Sequence, residues 1–359
     1  MGSTSIVSLA ATKPVAAVDV FCGVGGLTHG LLKEGIPVYA GVDLDPKCRY
    51  PFEKNNRCLF VEDDVERISG FEIASFFPVN HTKILVGCAP CQPFSTYTRG
   101  KPERNLDRWG LLSSFARIVQ QADPDIVSME NVPQLEKEMI FKRFTSKLRS
   151  LGYTVSYSIV RCWEYGVPQT RTRLVLFASK YGQIDIISPT HRPTRHRTVR
   201  QAIERLGRIR AGQISKADKL HRASALSAIN LHRIRSSSPG GTWRDWSRNL
   251  VAKCHTKDTG ESYPGVYARM AWDGPGPTIT TQCHGYGNGR FGHPEQNRAI
   301  SLREAALLQT FPQSYRFAGP RERITFDHMG RLIGNAVPVR LGRIIGRSII
   351  RHLEALKNL

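Results

Sequence analysis

The chain has 359 residues, 40% of them hydrophobic, with 51 Lys and Arg against 30 Asp and Glu and a formal net charge of +21. That length and apolar content supply a core for one large α/β domain with a smaller second unit, and they exclude a disordered chain. Eight cysteines are too sparse for a disulfide scaffold, no apolar run is long enough to span a bilayer, and Ile6 stands where an acylated Met1-Gly2 terminus needs Ser or Thr. A cytoplasmic protein with reduced thiols is expected. The positive excess predicts a phosphate polymer as partner, and it is concentrated: between Arg192 and Lys253 there are fifteen Lys or Arg against Glu204, Asp218 and Asp245.

Residues 1–14 read as a loose arm. Ala16 to Phe21 predicts a first buried strand, broken by Gly23, Gly25 and Gly26 before an amphipathic helix from about Leu27 to Glu34. A strand, a glycine turn and a helix N-terminus make a nucleotide cradle, because backbone without side chains approaches a ligand closely. The spacing is Gly-x-Gly-Gly, which differs from the dinucleotide fingerprint and argues against NAD. A second strand, Val38 to Val42, ends in Asp43, where such units place an acid for ribose hydroxyls. Leu59-Phe60-Val61 leads to a turn at Asp63-Asp64-Val65.

Ile84-Leu85-Val86 predicts a buried parallel strand whose carboxyl end carries Gly87-Cys88-Ala89-Pro90-Cys91-Gln92-Pro93-Phe94-Ser95. Pro90 and Pro93 stiffen this loop and hold Cys91 at the edge where open α/β sheets place their ligands. Three fates are open to the thiol: nucleophile, buried small hydrophobe, or half of a C-x-x-C pair with Cys88. No second pair completes a zinc site, and the prolines oppose the helix that a thioredoxin motif opens. The polar stretch from Tyr97 to Arg108 is either an idle surface loop or a lid over the nucleophile.

A helix is expected over Leu111 to Gln121. Ile126 to Met129 then forms a strand ending in Glu130-Asn131-Val132-Pro133, which puts a carboxylate beside the Cys91 strand. A helix at Phe141 to Leu151 and a strand at Thr154 to Val160 precede Gln169-Thr170-Arg171-Thr172-Arg173 and the strand Leu174 to Ala178. Alternation at the start of that strand places Arg171 and Arg173 on one face. From about Ser188 the texture turns Gly-, Ser-, Arg- and His-rich, with one short helix expected at Val199 to Leu206 and a loop-dominated basic region to Asn297. Cys254-His255 and Cys283-His284 lack ordered ligand spacing, so no metal is expected. Ser301 and Glu304 predict a capping box opening a helix that runs to Phe311-Pro312, and Gly334 to Val339 precedes an amphipathic helix carrying Ile344, Ile345, Ile349, Ile350 and Leu353.

Taken in order, Asp19 to Gly26, Asp43, Asp63-Asp64-Val65, Pro90-Cys91-Gln92, Glu130-Asn131-Val132, Gln169-x-Arg171-x-Arg173, Ser301 to Glu304 and Gly334 to Val339 resemble the motifs of the cytosine-5 DNA methyltransferases of bacterial or phage type. The likeness spans nearly the whole chain outside the basic segment. It implies a doubly wound, mostly parallel α/β sheet, the Rossmann-like fold of S-adenosylmethionine-dependent methyltransferases, with a smaller loop-rich target-recognition domain. The implied division is an arm at 1–14, a catalytic and cofactor-binding domain at 15–187, target recognition at 188–300, a hinge and organising helix at 301–330, and a returning helix at 331–359.

By the same resemblance S-adenosylmethionine is held by Phe21, Gly23, Gly25, Gly26, Leu27, Asp43, Asp64, Val65, Pro90, Leu111 and Asn335. Catalysis is expected of Cys91 adding to carbon 6 of a flipped cytosine, Glu130 at ring nitrogen 3, Arg173 at the ring carbonyl, and Arg171 supporting Glu130 or the loop. DNA contacts are expected at Ser95, Arg99, Gln169, Arg244, Thr278 and Arg290. The expected partner is double-stranded DNA, bound by a monomer without metal or membrane. Three rivals are the same chemistry on tRNA, a thiol oxidoreductase using Cys88 and Cys91, and a non-catalytic DNA-binding regulator. The long segment before Ser301 favours duplex DNA, and the intact set Cys91, Glu130, Arg171 and Arg173 favours an enzyme.

Overall fold

The computed structural model describes residues 13–90, 110–257, 260 and 263–357. They form two compact units, one from Met1–Arg161, Thr172–Ser188 and Val339–Leu359, the other from Cys162–Arg171 and Pro189–Pro338.

In the first unit, β1 (Val15–Val20), β2 (Val38–Asp43), β3 (Leu59–Glu62), β4 (Thr82–Gly87), β5 (Ile126–Asn131), β6 (Thr154–Arg161) and β7 (Thr172–Ser179) make one sheet in the order β3-β2-β1-β4-β5-β7-β6. The first five in that order run parallel, while β7 is antiparallel to both β5 and β6. Continuous Val, Ile and Ala runs suit strands covered on both faces, and in β4, β5 and β1 from Ala16 onward the apolar side chains are buried. Helices α1 (Gly26–Lys33), α2 (Arg49–Asn56), α3 (Gly70–Ser75), α4 (Gly110–Ala122) and α5 (Met139–Ser150) connect the strands. Phe115 of α4 stacks on Phe144 of α5 with ring centroids 5.8 Å apart, in a core with Leu85, Val127 and Leu176.

The strand order reverses between β1 and β4, and ligand crevices in open sheets lie at the carboxyl ends of strands at such a point. Here β1 ends in the glycine turn and β4 ends in Cys88-Ala89-Pro90. Two strands differ from their apolar runs. β5 continues through Glu130 and Asn131, so both are buried strand residues, and β7 starts at Thr172, leaving Arg171 outside the strand rather than sharing a strand face with Arg173.

The second unit contains α6 (Val199–Ile203), α7 (Ala228–Arg235), α8 (Leu302–Leu308) and α9 (Phe326–Asn335). Among its described residues there is no strand, only isolated bridges such as Gln169 with Gly276. The capping box of α8 forms as expected, Glu304 N donating to Ser301 Oγ at 3.1 Å and Ser301 N to Glu304 Oε2 at 2.7 Å. The helix stops at Leu308, before Phe311, and α6 stops at Ile203, before Leu206. Neither α7 nor α9 is expected from the sequence. The segment forming α7 is weakly amphipathic, and in α9 the glycines Gly330 and Gly334 mimic a loop.

Loops without strand ladders must satisfy their carbonyls elsewhere. Buried guanidinium groups do this. Arg269 donates to Ile234 O at 2.7 Å, Ser237 O at 2.8 Å, His293 O at 2.8 Å and Gln296 O at 2.9 Å. Arg298 reaches Ile209 O at 3.2 Å and Ala299 O at 3.0 Å, and closes a two-pronged ion pair on Glu304 with both bonds 2.7 Å. Arg303 bonds Tyr315 O at 3.1 Å and Asp218 Oδ2 at 2.6 Å. Burial alone would push the Glu304 carboxyl up; the Arg298 bonds overcome it and hold it at about 2.

The chain ends in α10 (Val339–Lys357), which belongs to the first unit and lies against α1. A Cβ on Gly30 would stand 2.6 Å from Val339 O and from Arg343 N, so the helices can cross this closely only over a glycine. Glu34, just past the end of α1, accepts from Arg343 Nε at 2.6 Å and Arg347 Nε at 2.9 Å.

Candidate active site

The turn after β1 alternates left-handed residues, with φ of 61° at Phe21, 52° at Gly23 and 84° at Gly25. A Cβ on Gly23 would meet nothing within 4 Å, so the backbone of the turn is uncovered there. Asp43, at the end of β2, stitches two turns together: its Oδ2 accepts from Gly23 N at 2.8 Å and its Oδ1 from Asp45 N at 3.0 Å. Asp64, past the end of β3, accepts from Glu66 N at 2.9 Å. Leu44 next to Asp43 is 65% exposed, an apolar side chain at a sheet edge that no sequence motif marks.

The other residues expected at a cofactor divide by burial. Phe21 and Leu111 are half-buried, Phe21 edge-on to Phe115 with centroids 6.5 Å apart. Gly25, Gly26, Leu27 and Val65 are buried, Val65 within the hydrophobic core, and Pro90 is exposed. Asn335 is exposed as the last residue of α9 and belongs to the second unit.

Asp19 is not among the site residues expected from the sequence. It is buried under the turn, where Thr28 Oγ1 donates to its Oδ2 at 2.6 Å while Oδ1 has no partner among the described residues. Burial, outweighing the Thr28 bond and helped by the charge of Asp43, lifts its carboxyl to about 7. An acid raised in this way stabilises the fold fully below its unfolded value of about 3.9 and loses that contribution as pH rises through the folded value. Asp19→Asn keeps an acceptor for Thr28 without the charge. It is expected to exceed the wild type by about 2–4 kcal/mol at pH 8 and to show little gain at pH 4.5, read from urea unfolding of the ligand-free protein. An equal gain at both pH values would show that Asp19 is not the titrating group.

Next to the switch point, β4 and β5 pair from Ile84 with Ile126 to Gly87 with Met129. Just beyond, Cys88 Sγ donates to Glu130 Oε2 at 2.7 Å, and Asn131 Nδ2 donates to Ala89 O at 3.2 Å. On the other side of β5, Glu130 faces Val175 of β7, so Arg173 is its diagonal neighbour, roughly 7–8 Å away along the sheet and within reach of a long side chain. Arg173 Nε lies 2.9 Å from Glu130 Oε1, an ion-pair contact without hydrogen-bond alignment. Glu130 is 2% exposed, so this pair sits in a place from which water is largely excluded.

Arg171 belongs to the second unit and is buried there, its guanidinium donating to Ile279 O at 3.2 Å. Gln169, expected at DNA, is fully buried: its Nε2 donates to Leu308 O at 2.9 Å and Gln309 Oε1 at 2.8 Å, and its Oε1 accepts from Ile279 N at 3.0 Å. It acts as a strut, and the expected DNA contact is not available from that position. Thr278 Oγ1 donates to Thr170 O at 3.1 Å, Arg290 is half-buried with a bond to Gly240 O at 2.9 Å, and Arg244 is exposed over the Trp243 ring. Cys91, Ser95 and Arg99, with the Tyr97 to Arg108 stretch and residues 1–12 of the expected arm, lie outside the described residues.

The sheet order and the cradle are those of the S-adenosylmethionine-dependent methyltransferase fold. Two solved structures share it, each a likeness of fold alone. A prophage-encoded protein of E. coli described as a putative DNA modification methyltransferase superposes with a TM-score of 0.72 at 24% identity, covering 94% of this chain and 99% of that one. Spodoptera frugiperda DNMT2 gives 0.64 at 16% identity over 94% and 99%.

The family model for C-5 cytosine-specific DNA methylases matches residues 15–351, and the chain belongs to that family. It is 56% identical over 344 residues to the Type II methylase M.HgiDII of Herpetosiphon aurantiacus, covering 95% of this chain and 96% of that one. It is 28% identical to the Type II methyltransferase M.Sau96I of Staphylococcus aureus, over 95% and 77%. The protein is thus a DNA cytosine-5 methyltransferase, which sets aside the oxidoreductase and non-catalytic readings and leaves the tRNA reading the less supported one. Among the described residues, no helix is long and apolar enough to cross a membrane.

Proposed function

We propose that the chain methylates carbon 5 of a cytosine turned out of a specific duplex sequence, with Cys91 as covalent nucleophile and S-adenosylmethionine as donor. The observation that carries this reading is Glu130, buried against Arg173 at the sheet edge where β4 leads into Cys91. Carbon 5 of cytosine is a weak nucleophile. Addition of the Cys91 thiolate to carbon 6 forms a carbon–sulfur bond and moves ring electrons toward nitrogen 3, where Glu130 delivers a proton and Arg173 steadies the neighbouring carbonyl oxygen. Carbon 5 then has enamine character. After carbon 5 loses its proton to a base, the electrons return to the ring, nitrogen 3 hands its proton back to Glu130 and the thiolate leaves.

S-adenosylmethionine, when bound, supplies the sulfonium methyl that carbon 5 takes. The chain's residues fit it: an uncovered turn at Gly23, carboxylates of Asp43 and Asp64 at successive strand ends, and the apolar Phe21 and Leu44 for an adenine ring. None of this chemistry reaches a stacked base, so extrusion of the cytosine is required, at a cost of roughly a few kcal/mol.

For target recognition we assign the second unit. Arg192, Arg195, Arg205, Arg210, Lys216 and Arg235 are exposed on it and suit phosphates, whereas Arg222 is committed to Ile324 O and Arg233 to Leu250 O at 2.7 Å. Because the relatives named above are Type II methylases, we read the chain as the modification partner of a restriction endonuclease. Bisulfite sequencing of DNA from cells expressing the protein tests the whole reading. One short sequence context methylated at every occurrence is expected, and DNA without 5-methylcytosine above background would end it.

A further inference from the structure

We infer that Cys88 is a positioning residue for methyl transfer, its thiol holding the carboxyl oxygen of Glu130 that Arg173 does not. The inference rests on the catalytic role proposed for Glu130. Continuing the register of β4 and β5 past Gly87 and Met129 brings Cys88 opposite Glu130 and Ala89 opposite Asn131. Backbone pairing cannot extend further along this edge, because Pro90 has no N–H. Side chains take over. Cys88 Sγ reaches Glu130 Oε2 at 2.7 Å, and Asn131 Nδ2 reaches Ala89 O at 3.2 Å, with the amide itself oriented by Val132 N donating to its Oδ1 at 2.8 Å.

The consequence for Glu130 is rotational. The last torsion of a glutamate is broad, so a carboxyl without an aligned bond swings. Arg173 lies against Oε1 as an ion-pair contact and Cys88 donates to Oε2, so among the described residues the one aligned bond on the carboxyl, which sets how far the group can turn before substrate arrives, is that from Cys88. A small misplacement of a proton-donating group costs rate without costing affinity, since the group acts on the reacting ring rather than on the duplex. A cysteine that merely filled space would be surrounded by carbon. Cys88 is half-buried with its sulfur on a carboxylate.

The test compares Cys88→Ala, Cys88→Ser, Glu130→Gln and the double variant Cys88→Ala/Glu130→Gln, in the full chain with duplex target DNA and tritiated methyl donor. Cys88→Ala is expected to lower kcat roughly 10-fold with KM for DNA and donor unchanged, and Cys88→Ser, which retains a donor, to recover most of the loss. On the Glu130→Gln background, already slowed about 10²–10⁴-fold, Cys88→Ala should add nothing, because the group through which it acts is gone. Wild-type kcat in Cys88→Ala, no recovery in Cys88→Ser, or an equal further loss in the double variant overturns the proposal. Thermal unfolding of each variant separates this from a folding defect: a fall in kcat that tracks a fall in Tm assigns Cys88 to packing and also overturns it. Should Glu130→Gln itself transfer methyl at the wild-type rate, the reading of Glu130 fails instead, whatever Cys88 does.

Discussion

Cys91→Ala is expected to lose methyl transfer altogether while still binding target DNA and S-adenosylmethionine. Alanine cannot bond to carbon 6, and without that bond carbon 5 has no electron pair to offer, so the loss is of the route rather than of one contact. A tritiated-methyl assay should show a fall of more than roughly 10³-fold, with gel-shift affinity for duplex DNA within a few-fold of wild type. The loss should be accompanied by a second change. Wild-type protein should form a denaturant-stable adduct on duplexes carrying 5-fluorocytosine at the target, since fluorine at carbon 5 does not leave as the proton does, and the alanine variant should form none. Methyl transfer at even a tenth of the wild-type rate by the variant would remove Cys91 from the mechanism.

Arg298→Ala is expected to destabilise the second unit by about 3–5 kcal/mol, the cost of leaving one member of a buried ion pair without the other. Arg298 and Glu304 are both essentially without solvent exposure and joined by two bonds of 2.7 Å, and Arg298 also ties Ile209 O and Ala299 O to the start of α8. Removing the cation strands the Glu304 carboxylate in the interior and frees carbonyls that no ladder can take up. Pairing Arg298→Met with Glu304→Gln should restore part of the loss, because no bare charge is then buried. Urea unfolding followed by tryptophan fluorescence reports mainly on this unit, which carries four of the five tryptophans, Trp163, Trp243, Trp246 and Trp272. A change of less than about 1 kcal/mol in Arg298→Ala would mean that the pair contributes no more than a surface ion pair does.

How much of the molecule is legible in its sequence follows from what holds each unit together. Parallel strands buried on both faces announce themselves as apolar runs, and β1, β2, β4 and β5 lie where those runs do. The ends of strands are harder to place where they carry polar groups. Glu130 and Asn131 resemble loop residues beside Ile126 to Met129, yet the sheet continues through them because β7 pairs opposite both. Leu44 carries no motif signal, and the C-x-x-C spacing that marks Cys88 points to redox chemistry rather than to its place beside Glu130 at the sheet edge. The second unit offers no periodicity to read, since a bond from a guanidinium to a distant carbonyl leaves no local pattern. Its arginines are therefore all candidates for DNA on sequence grounds, although Arg222 and Arg233 serve the unit's own backbone.

That manner of holding a loop-rich body together has an evolutionary corollary. Arg269 grips Ile234, Ser237, His293 and Gln296 through peptide oxygens alone, and an oxygen of that kind is present whatever side chain a position bears. Substitutions on the outward side of those segments leave the grip intact, so the chain can explore new nucleotide preferences without rebuilding its interior. Descendants of one such scaffold would diverge in the sequences they mark long before they diverge in shape.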